Sequence, residues 1–267
     1  MKNSDEAGPI EKVLATKIDK KGRRRVEESV IRTGILTIYV NGSELVSLVC
    51  TPTHLKSLVA GFLVSEGFLT ARDGLGEITI VRGKTYIADV ITSSAVHGEL
   101  SGRRMLVTSG CGSGGTVARI LEEIGKQGPL AECTFRAADI SRHMRELGRR
   151  AALFTETGGA HTAGLFNQDA LTYVMEDVGR HNALDKVIGA AFLDGVDTAC
   201  AGLASSGRLS VDAVSKALVC RVPLLVSRSA PTSMAVELAQ RAGLTLVGFV
   251  RGSRMNVYSG EERILVD

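Results

Sequence analysis

The stretch PLLVSRSAPTSMAVELAQRAGLTLVGFVRG, residues 223–252, sets a helical pattern between two short apolar runs. Ala235, Leu238, Ala239 and Ala242 recur at the intervals of one helix face, while PLLVSRS and TLVGFVRG read as buried strands. The same rhythm extends back along the chain. HTAGLF and LTYVMED read as a strand pair, and RHNALDKVIGAAFL as a helix with Leu184, Val187, Ile188 and Ala191 on one face. ACAGLAS and LSVDAVSKALV add a strand and a helix. Such alternation predicts an α/β domain with a largely parallel sheet and crossover helices. A helix, RAADISRHMRELGRRAA, leads into it.

Upstream the pattern changes. SVIRTGILTIYVNGSELVSLVCTP reads as two β-branched runs around Asn41-Gly42, a strong hairpin signal. HLKSLVAGFLVSEGFL spaces Leu55, Leu58, Val59, Phe62 and Leu63 as a helix, and strands are predicted at 77–82 and 85–91. This is a small α+β unit. The Gly- and Pro-containing KQGPLAEC marks a boundary, giving domains 1–130 and 131–267 within 267 residues.

Bulk properties exclude several classes. A net charge of +3, 4% aromatics and no Trp argue against a nucleic-acid platform. The basic run Lys20, Lys21, Arg23, Arg24 and Arg25 sits beside Glu27 and Glu28 and reads as a solvated N-terminal segment. No signal-peptide core occupies residues 1–30, and no apolar run nears the roughly 18 residues of a membrane span. Five scattered cysteines, at 50, 111, 133, 200 and 220, fit neither a disulfide framework nor a zinc ribbon. A reduced, cytoplasmic protein is the expectation. Cys50, Cys200 and Cys220 lie in apolar segments and read as core.

In an open α/β sheet, ligands bind beyond the carboxyl ends of the parallel strands. Those ends hold EDVGRHN (176–182), SSGR (205–208), SRSAPTS (227–233) and RGSRMN (251–256). They supply Arg180, Arg208, Arg228, Arg251 and Arg254 among small hydroxylated residues, a set suited to phosphate or pyrophosphate. Gly158-Gly159 in TETGGAH can approach a ligand closely. His161 and His181 fall in the same loops and read equally well as ligand contacts or structural histidines. Ser210 and Thr232 read first as helix caps, and Asp185 as a carboxylate in a first helical turn. Glu176-Asp177 beside an anion site suggests a carboxylate that reads the N1–H and N2–H edge of guanine. Cys111, in MLVTSGCGSGGTVARIL, has no apolar neighbour within three residues and is the candidate reactive thiol. HGE at 97–99 lacks the P-C-x-x-C half of a zinc deaminase, so no metal site is expected.

EDVGRHNALDKVIGAA, SSGRLSVDAVSKA, SRSAPTSMAVELA, LTLVGFVRGSRMNVYSG, VAGFLVSEGF, FTETGGAH and TSGCG, in collinear order over about residues 28–260, together resemble the formate dehydrogenase accessory sulfurtransferase family (FdhD/NarQ). The resemblance implies a second domain like cytidine deaminase, three-layered and without zinc. It implies a sulfur carrier that takes persulfide sulfur from a cysteine desulfurase onto Cys111. The sulfur passes to a molybdenum or tungsten bis-molybdopterin guanine dinucleotide, the bound client, for formate dehydrogenase. Phe249, Val250, Arg251, Gly252, Ser253 and Arg254 match a cofactor-contacting stretch. The strand-end loops add Gly158, Gly159, His161, Glu176, Asp177, Arg180, His181, Asn182, Ser206, Arg208, Ser229 and Thr232 to that expected site. The resemblance is compatible with a homodimer and implies no membrane or nucleic-acid partner. Where the family loop commonly reads C-x-x-C, this chain reads Cys111-Gly112-Ser113-Gly114. A carrier needs one thiolate only, so the loss weighs more against a redox or zinc role. Two rival readings are a cofactor-binding chaperone with an idle Cys111 and a zinc-dependent deaminase.

Overall fold

The computed structural model describes residues 8–93, 121–122, 125 and 128–266. The first half holds β3 (Gly34–Val40), β4 (Ser43–Cys50), α1 (Leu55–Ser65), β5 (Leu75–Arg82) and β6 (Tyr86–Thr92). Asn41 and Gly42 both take positive φ, 49° and 79°, as a tight hairpin turn requires, and β3 and β4 pair antiparallel around them. The four strands order as β4-β3-β6-β5, with β3 and β6 parallel. Their inward side chains, Leu36, Ile38, Leu48, Ala88 and Val90 among them, form one core with Leu58, Val59 and Phe62 of α1.

Ahead of this unit, β1 (Ile10–Asp19) and β2 (Gly22–Ile31) form a separate antiparallel ribbon. Its basic residues, expected to belong to a solvated segment, lie in and beside these paired strands. Its turn is short because Gly22 takes φ 109° and the Lys21 N–H donates to Asp19 Oδ1.

The second half contains β7 (Phe135–Arg136), α2 (Ala137–Arg149), α3 (Ala152–Thr157), β8 (His161–Phe166), β9 (Leu171–Asp177), α4 (Arg180–Leu193), β10 (Gly202–Ser205), α5 (Val211–Val219), β11 (Leu224–Ser227), α6 (Ser233–Ala242), β12 (Thr245–Arg251), β13 (Arg254–Ser259) and β14 (Ile264–Leu265). Six strands order as β13-β12-β11-β10-β8-β9. The expected largely parallel sheet is corrected to a mixed one. Only β10, β11 and β12 run parallel, while hairpins add β9 beside β8 and β13 beside β12, and β8 meets β10 antiparallel. Strand–helix alternation reports crossovers and is silent on strands appended by hairpins.

Helix α2 covers one sheet face through Ile140, Met144, Leu147, Phe166, Val226 and Val247. Helices α4, α5 and α6 cover the other through Leu184, Val187, Leu203, Leu225, Leu238 and Leu246. Helix α1 crosses α4 with backbone against backbone. A Cβ on Gly61 would stand 1.7 Å from the Asp185 carbonyl oxygen, and one on Gly189 1.8 Å from that of Ser57.

Buried charges tie the halves at this crossing. Lys186 Nζ lies 2.7 Å from Asp177 Oδ2 with both side chains fully buried, and it donates to the Thr51 carbonyl. Thr51 in turn donates its N–H to Asp177 Oδ2 and accepts from the Val178 N–H. Lys216 meets Asp185 at 2.9 Å and Glu66 at 2.7 Å, and Ser65 donates to Asp185. Asp185 therefore serves tertiary pairing across the junction, where a first-turn dipole role was expected.

Cys133 and Cys200 are joined as a disulfide with their Cα atoms 5.7 Å apart. This corrects the expectation of five separate thiols and of Cys200 as a core thiol. The chain entering β7 runs beside the turn after α4, and 67 residues of separation hid that proximity. Among the described residues no helix is long and apolar enough to cross a membrane.

Candidate functional site

The sheet parts the strand-end loops into two groups, so the residues expected to share one site do not all meet. On the α2 face, Ser141, Met144, Arg145, Gly148, Arg149, Arg228, Val250, Arg251 and Gly252 line a cavity of about 520 Å³. Residues 141, 144, 145, 148 and 149 follow i, i+3, i+4, i+7, i+8 spacing, so α2 presents them on one face. The opposite wall depends on an irregularity between β12 and β13. The pairing slips between Gly248 and Arg251, and Phe249 takes φ 53°. A bulge of this kind re-aims the residues that follow it. Arg251 is then held by donation from Nε to the Arg228 carbonyl, with its guanidinium carbon 5.6 Å from the Phe249 ring centroid. Gly252, at φ 63°, turns the chain into β13, leaving Ser253 in the turn and Arg254 paired opposite Arg251.

Four guanidinium groups thus surround one cavity, and none of Arg145, Arg149 and Arg228 has an ion pair among the described residues. Crowded like charges repel. A ligand with several anionic oxygens relieves that repulsion, and the guanidinium fork suits phosphate oxygens in particular. Of the residues singled out in the sequence, Arg228, Val250, Arg251 and Gly252 line this cavity, and Arg145 and Arg149, which were not among them, line it too. The available signal was their helical spacing alongside Ser141, Met144 and Gly148 on a single face.

On the other sheet face, His161, Arg180, His181, Ser206 and Ser210 form a second polar group. His161 Nδ1 lies 3.4 Å from Ser206 Oγ, and His181 Nε2 lies 3.1 Å from Ser210 Oγ. Arg180 packs over Gly207, where a Cβ would meet its side chain at 3.0 Å. Burial, and then the Arg180 charge, hold the His161 pKa below its usual value. Burial, followed by the charges of Arg180, Lys216 and His161, pushes His181 down to about 3. Both imidazoles are neutral near pH 7. Arg208 is exposed at this strand end.

Other expected site residues are engaged inside the fold. Glu176 accepts the backbone N–H groups of Leu153 and Phe154 at 2.8 and 2.9 Å, which places its carboxylate at the N-terminus of α3. Asp177 accepts from Thr51, Gly179 and Asn182 besides pairing with Lys186. Asn182 also donates to the Val49 carbonyl. Thr232 caps α6 by accepting from the Ala235 N–H. Ser229 accepts the Phe249 N–H at its carbonyl and so supports the cavity wall through its backbone. Gly158 ends α3 in the left-handed region, and Gly159 abuts Ile31 of the ribbon, where a Cβ would stand 2.8 Å from Cγ2.

Cys111 lies outside the described residues. The four described cysteines are poor nucleophiles. Cys133 and Cys200 bond to each other, and burial pushes the thiols of Cys50 and Cys220 up to about 12. Among the described residues no group of three or more His, Cys, Asp or Glu could hold a metal ion.

Comparison with known proteins gives a consistent result. The profile of the FdhD/NarQ family matches residues 33–265. The chain is 38% identical over 248 residues to the sulfur carrier protein FdhD of Listeria innocua, covering 90% of this chain and 93% of that one. It is 31% identical over 240 residues to the protein of the same name from Bacillus subtilis, with 90% and 92% covered. A solved chain from Desulfotalea psychrophila, assigned as a formate dehydrogenase accessory protein, superposes with a TM-score of 0.79 at 29% identity, covering 96% of this chain and 99% of that one.

Proposed function

Because the chain belongs to the FdhD/NarQ family, we propose that it is a sulfur carrier serving formate dehydrogenase, with Cys111 as the carrying thiol and the arginine cavity as the seat of the client's diphosphate. The observation that carries the cofactor half of this reading is the set of four arginines around one cavity, with no carboxylate among the described residues that line it. Elimination supports the thiol half, since the other four cysteines are bonded together or held protonated by burial.

The transfer conserves electrons. The Cys111 thiolate attacks the terminal sulfur of a desulfurase persulfide, a new S–S bond forms, and the donor cysteine leaves as a thiolate. A client that attacks the terminal sulfur with an electron pair of its own takes that sulfur up at the sulfane level, the S–S bond breaks, and Cys111 leaves as a thiolate. This needs one cysteine, so Gly114 at the fourth position of the loop is no obstacle.

The client is a molybdenum or tungsten bis-molybdopterin guanine dinucleotide, and the cavity's arginines would hold its diphosphate. The cofactor-binding half is residues 131–267, whose helix–sheet–helix layering supports the cytidine-deaminase-like description. Base reading then falls to groups other than Glu176 and Asp177, whose oxygens are already bonded within the fold. The donor is a cysteine desulfurase and the recipient formate dehydrogenase, both met in the cytoplasm. The test is calorimetric titration with GDP, together with the formate dehydrogenase activity that a Cys111→Ala chain supports. GDP binding combined with loss of activation is expected. Full activation by Cys111→Ala would leave only a cofactor chaperone.

A further inference from the structure

The chain enters β7 through residues 128–134, a strap with no helix or strand of its own. Among the described residues no backbone N–H of residues 130–133 donates a hydrogen bond, so side chains and carbonyls hold the strap. At its start Arg221 donates to the Gly128 and Pro129 carbonyls, and Leu130 is buried in the core that α4, α5 and α6 share. At its end Phe135 is buried and β7 pairs with β14. Between these ends Cys133 is bonded to Cys200 in the loop after α4, with a long hydrogen bond of 3.4 Å from Gln168 Nε2 to the Thr134 carbonyl beside it. A segment with so few backbone bonds belongs to the low-stability end of a fold, and one covalent bond weighs heavily there.

The two sulfurs differ in access. Cys133 is 8% exposed, whereas Cys200 is exposed on the α4–β10 loop. Thiols reach an exposed disulfide readily, and exposed bonds are the labile, regulatory ones. Cys50 and Cys220 do not compete in such exchange, because burial pushes their thiols up to about 12.

We infer that the Cys133–Cys200 pair is a redox-exchanged clamp, opened by a dithiol reductant and closed by a small disulfide such as oxidised glutathione. Opening lets residues 131–134 lift from the α4–β10 loop while the sheet and its helices stay folded. A reductant thiolate attacks Cys200 Sγ, the S–S bond breaks, and Cys133 leaves as a thiolate. The second thiol of the reductant then displaces Cys200. The reductant ends as a disulfide, and its two protons pass to the protein sulfurs. Closing is the reverse exchange, with two glutathione thiols as products. The strap is the covalent path from the first half to the second, so the clamp sets how firmly that path is held. The inference does not rest on the sulfur-carrier reading, since neither Cys111 nor the arginine cavity takes part.

The test equilibrates the full chain with oxidised glutathione or with dithiothreitol, alkylates it without denaturant and maps the peptides. Oxidised glutathione should give the linked Cys133–Cys200 peptide. Dithiothreitol should leave both cysteines alkylated, with Cys50 and Cys220 unmodified in either sample. A Glu-specific protease reads the strap, because Glu132 is exposed within it. Cleavage after Glu132 should be roughly tenfold faster in the reduced chain, as local opening becomes easier. Cys200→Ser should show the faster cleavage under both conditions; if that chain does not fold, the two states of the parent give the comparison alone. Thermal melts of both states should remain cooperative. A pair that stays as thiols in oxidised glutathione, or a bond that dithiothreitol opens only with denaturant, would overturn the inference. So would equal cleavage in both states, or loss of the cooperative melt on reduction. GDP binding by the same samples reports separately on the arginine cavity.

Discussion

Arg145 and Arg149 matter because of what surrounds them. A surface arginine without a partner is unremarked, but four guanidiniums around one cavity concentrate positive charge as a polyanion site would require. Replacing Arg145 or Arg149 with Gln should weaken GDP binding roughly ten- to a hundred-fold, as expected for a lost charge-assisted hydrogen bond. Melting should be nearly unchanged, since both side chains are exposed; calorimetry and a thermal melt on the same sample check this. His181 gives a pH prediction. Its folded pKa near 3 lies below the ordinary 6.5, so the unfolded chain binds a proton there that the folded one does not. The neutral imidazole's contribution to stability is complete above about pH 6.5 and is lost as pH falls toward 3. His54, His143 and His161 are shifted in the same direction. Asp185 and Asp212, pushed up by burial, act in the opposite sense. His181→Gln should therefore lose less stability than the parent between pH 7 and pH 5 in urea titrations. A steeper loss in the variant would contradict the assignment.

At the scale of elements, the α1–α4 crossing holds the fold's two halves together. Gly189→Ala would drive a methyl into the Ser57 carbonyl, and about 3 kcal/mol or more should be lost on urea unfolding. Lys186→Met leaves Asp177 buried and unpaired and should cost about 3–5 kcal/mol. What was legible beforehand followed the range of the signal. The Asn41-Gly42 hairpin, α1 and α4 declare themselves within a dozen residues, through turn chemistry and helical spacing. Glu176 and Asp177 look like ligand readers in sequence because their true partners are far along the chain. Glu176 serves Leu153 and Phe154, and Asp177 serves Thr51, 126 residues away. The Cys133–Cys200 bond was hidden for the same reason. The β1–β2 ribbon was missed because its alternation is carried by charged residues as much as by Leu14 and Ile18, so it resembles a solvated tail.

On the proposed reading, the molecule would join two tasks across that crossing, a carrying thiol from the first half and an anion-binding cavity in the second. The junction is buried and charged, so both halves should unfold in a single calorimetric transition. Two separated transitions would mean that the Lys186–Asp177 and Lys216–Asp185 pairs do not couple them. Arg228 and Arg251 could be placed together beforehand because α/β topology fixes where the strand ends gather, whereas Arg145 and Arg149 required knowing which helix covers that face. Most direct for the central claim is intact-mass analysis with peptide mapping after incubation with a cysteine desulfurase and cysteine. The carrier account predicts a gain of one sulfur mapped to Cys111. The gain should be absent from Cys111→Ala and retained by the Arg145→Gln and Arg149→Gln chains. Persulfide mapped to any other cysteine, or a Cys111→Ala chain that still gains sulfur, would contradict it.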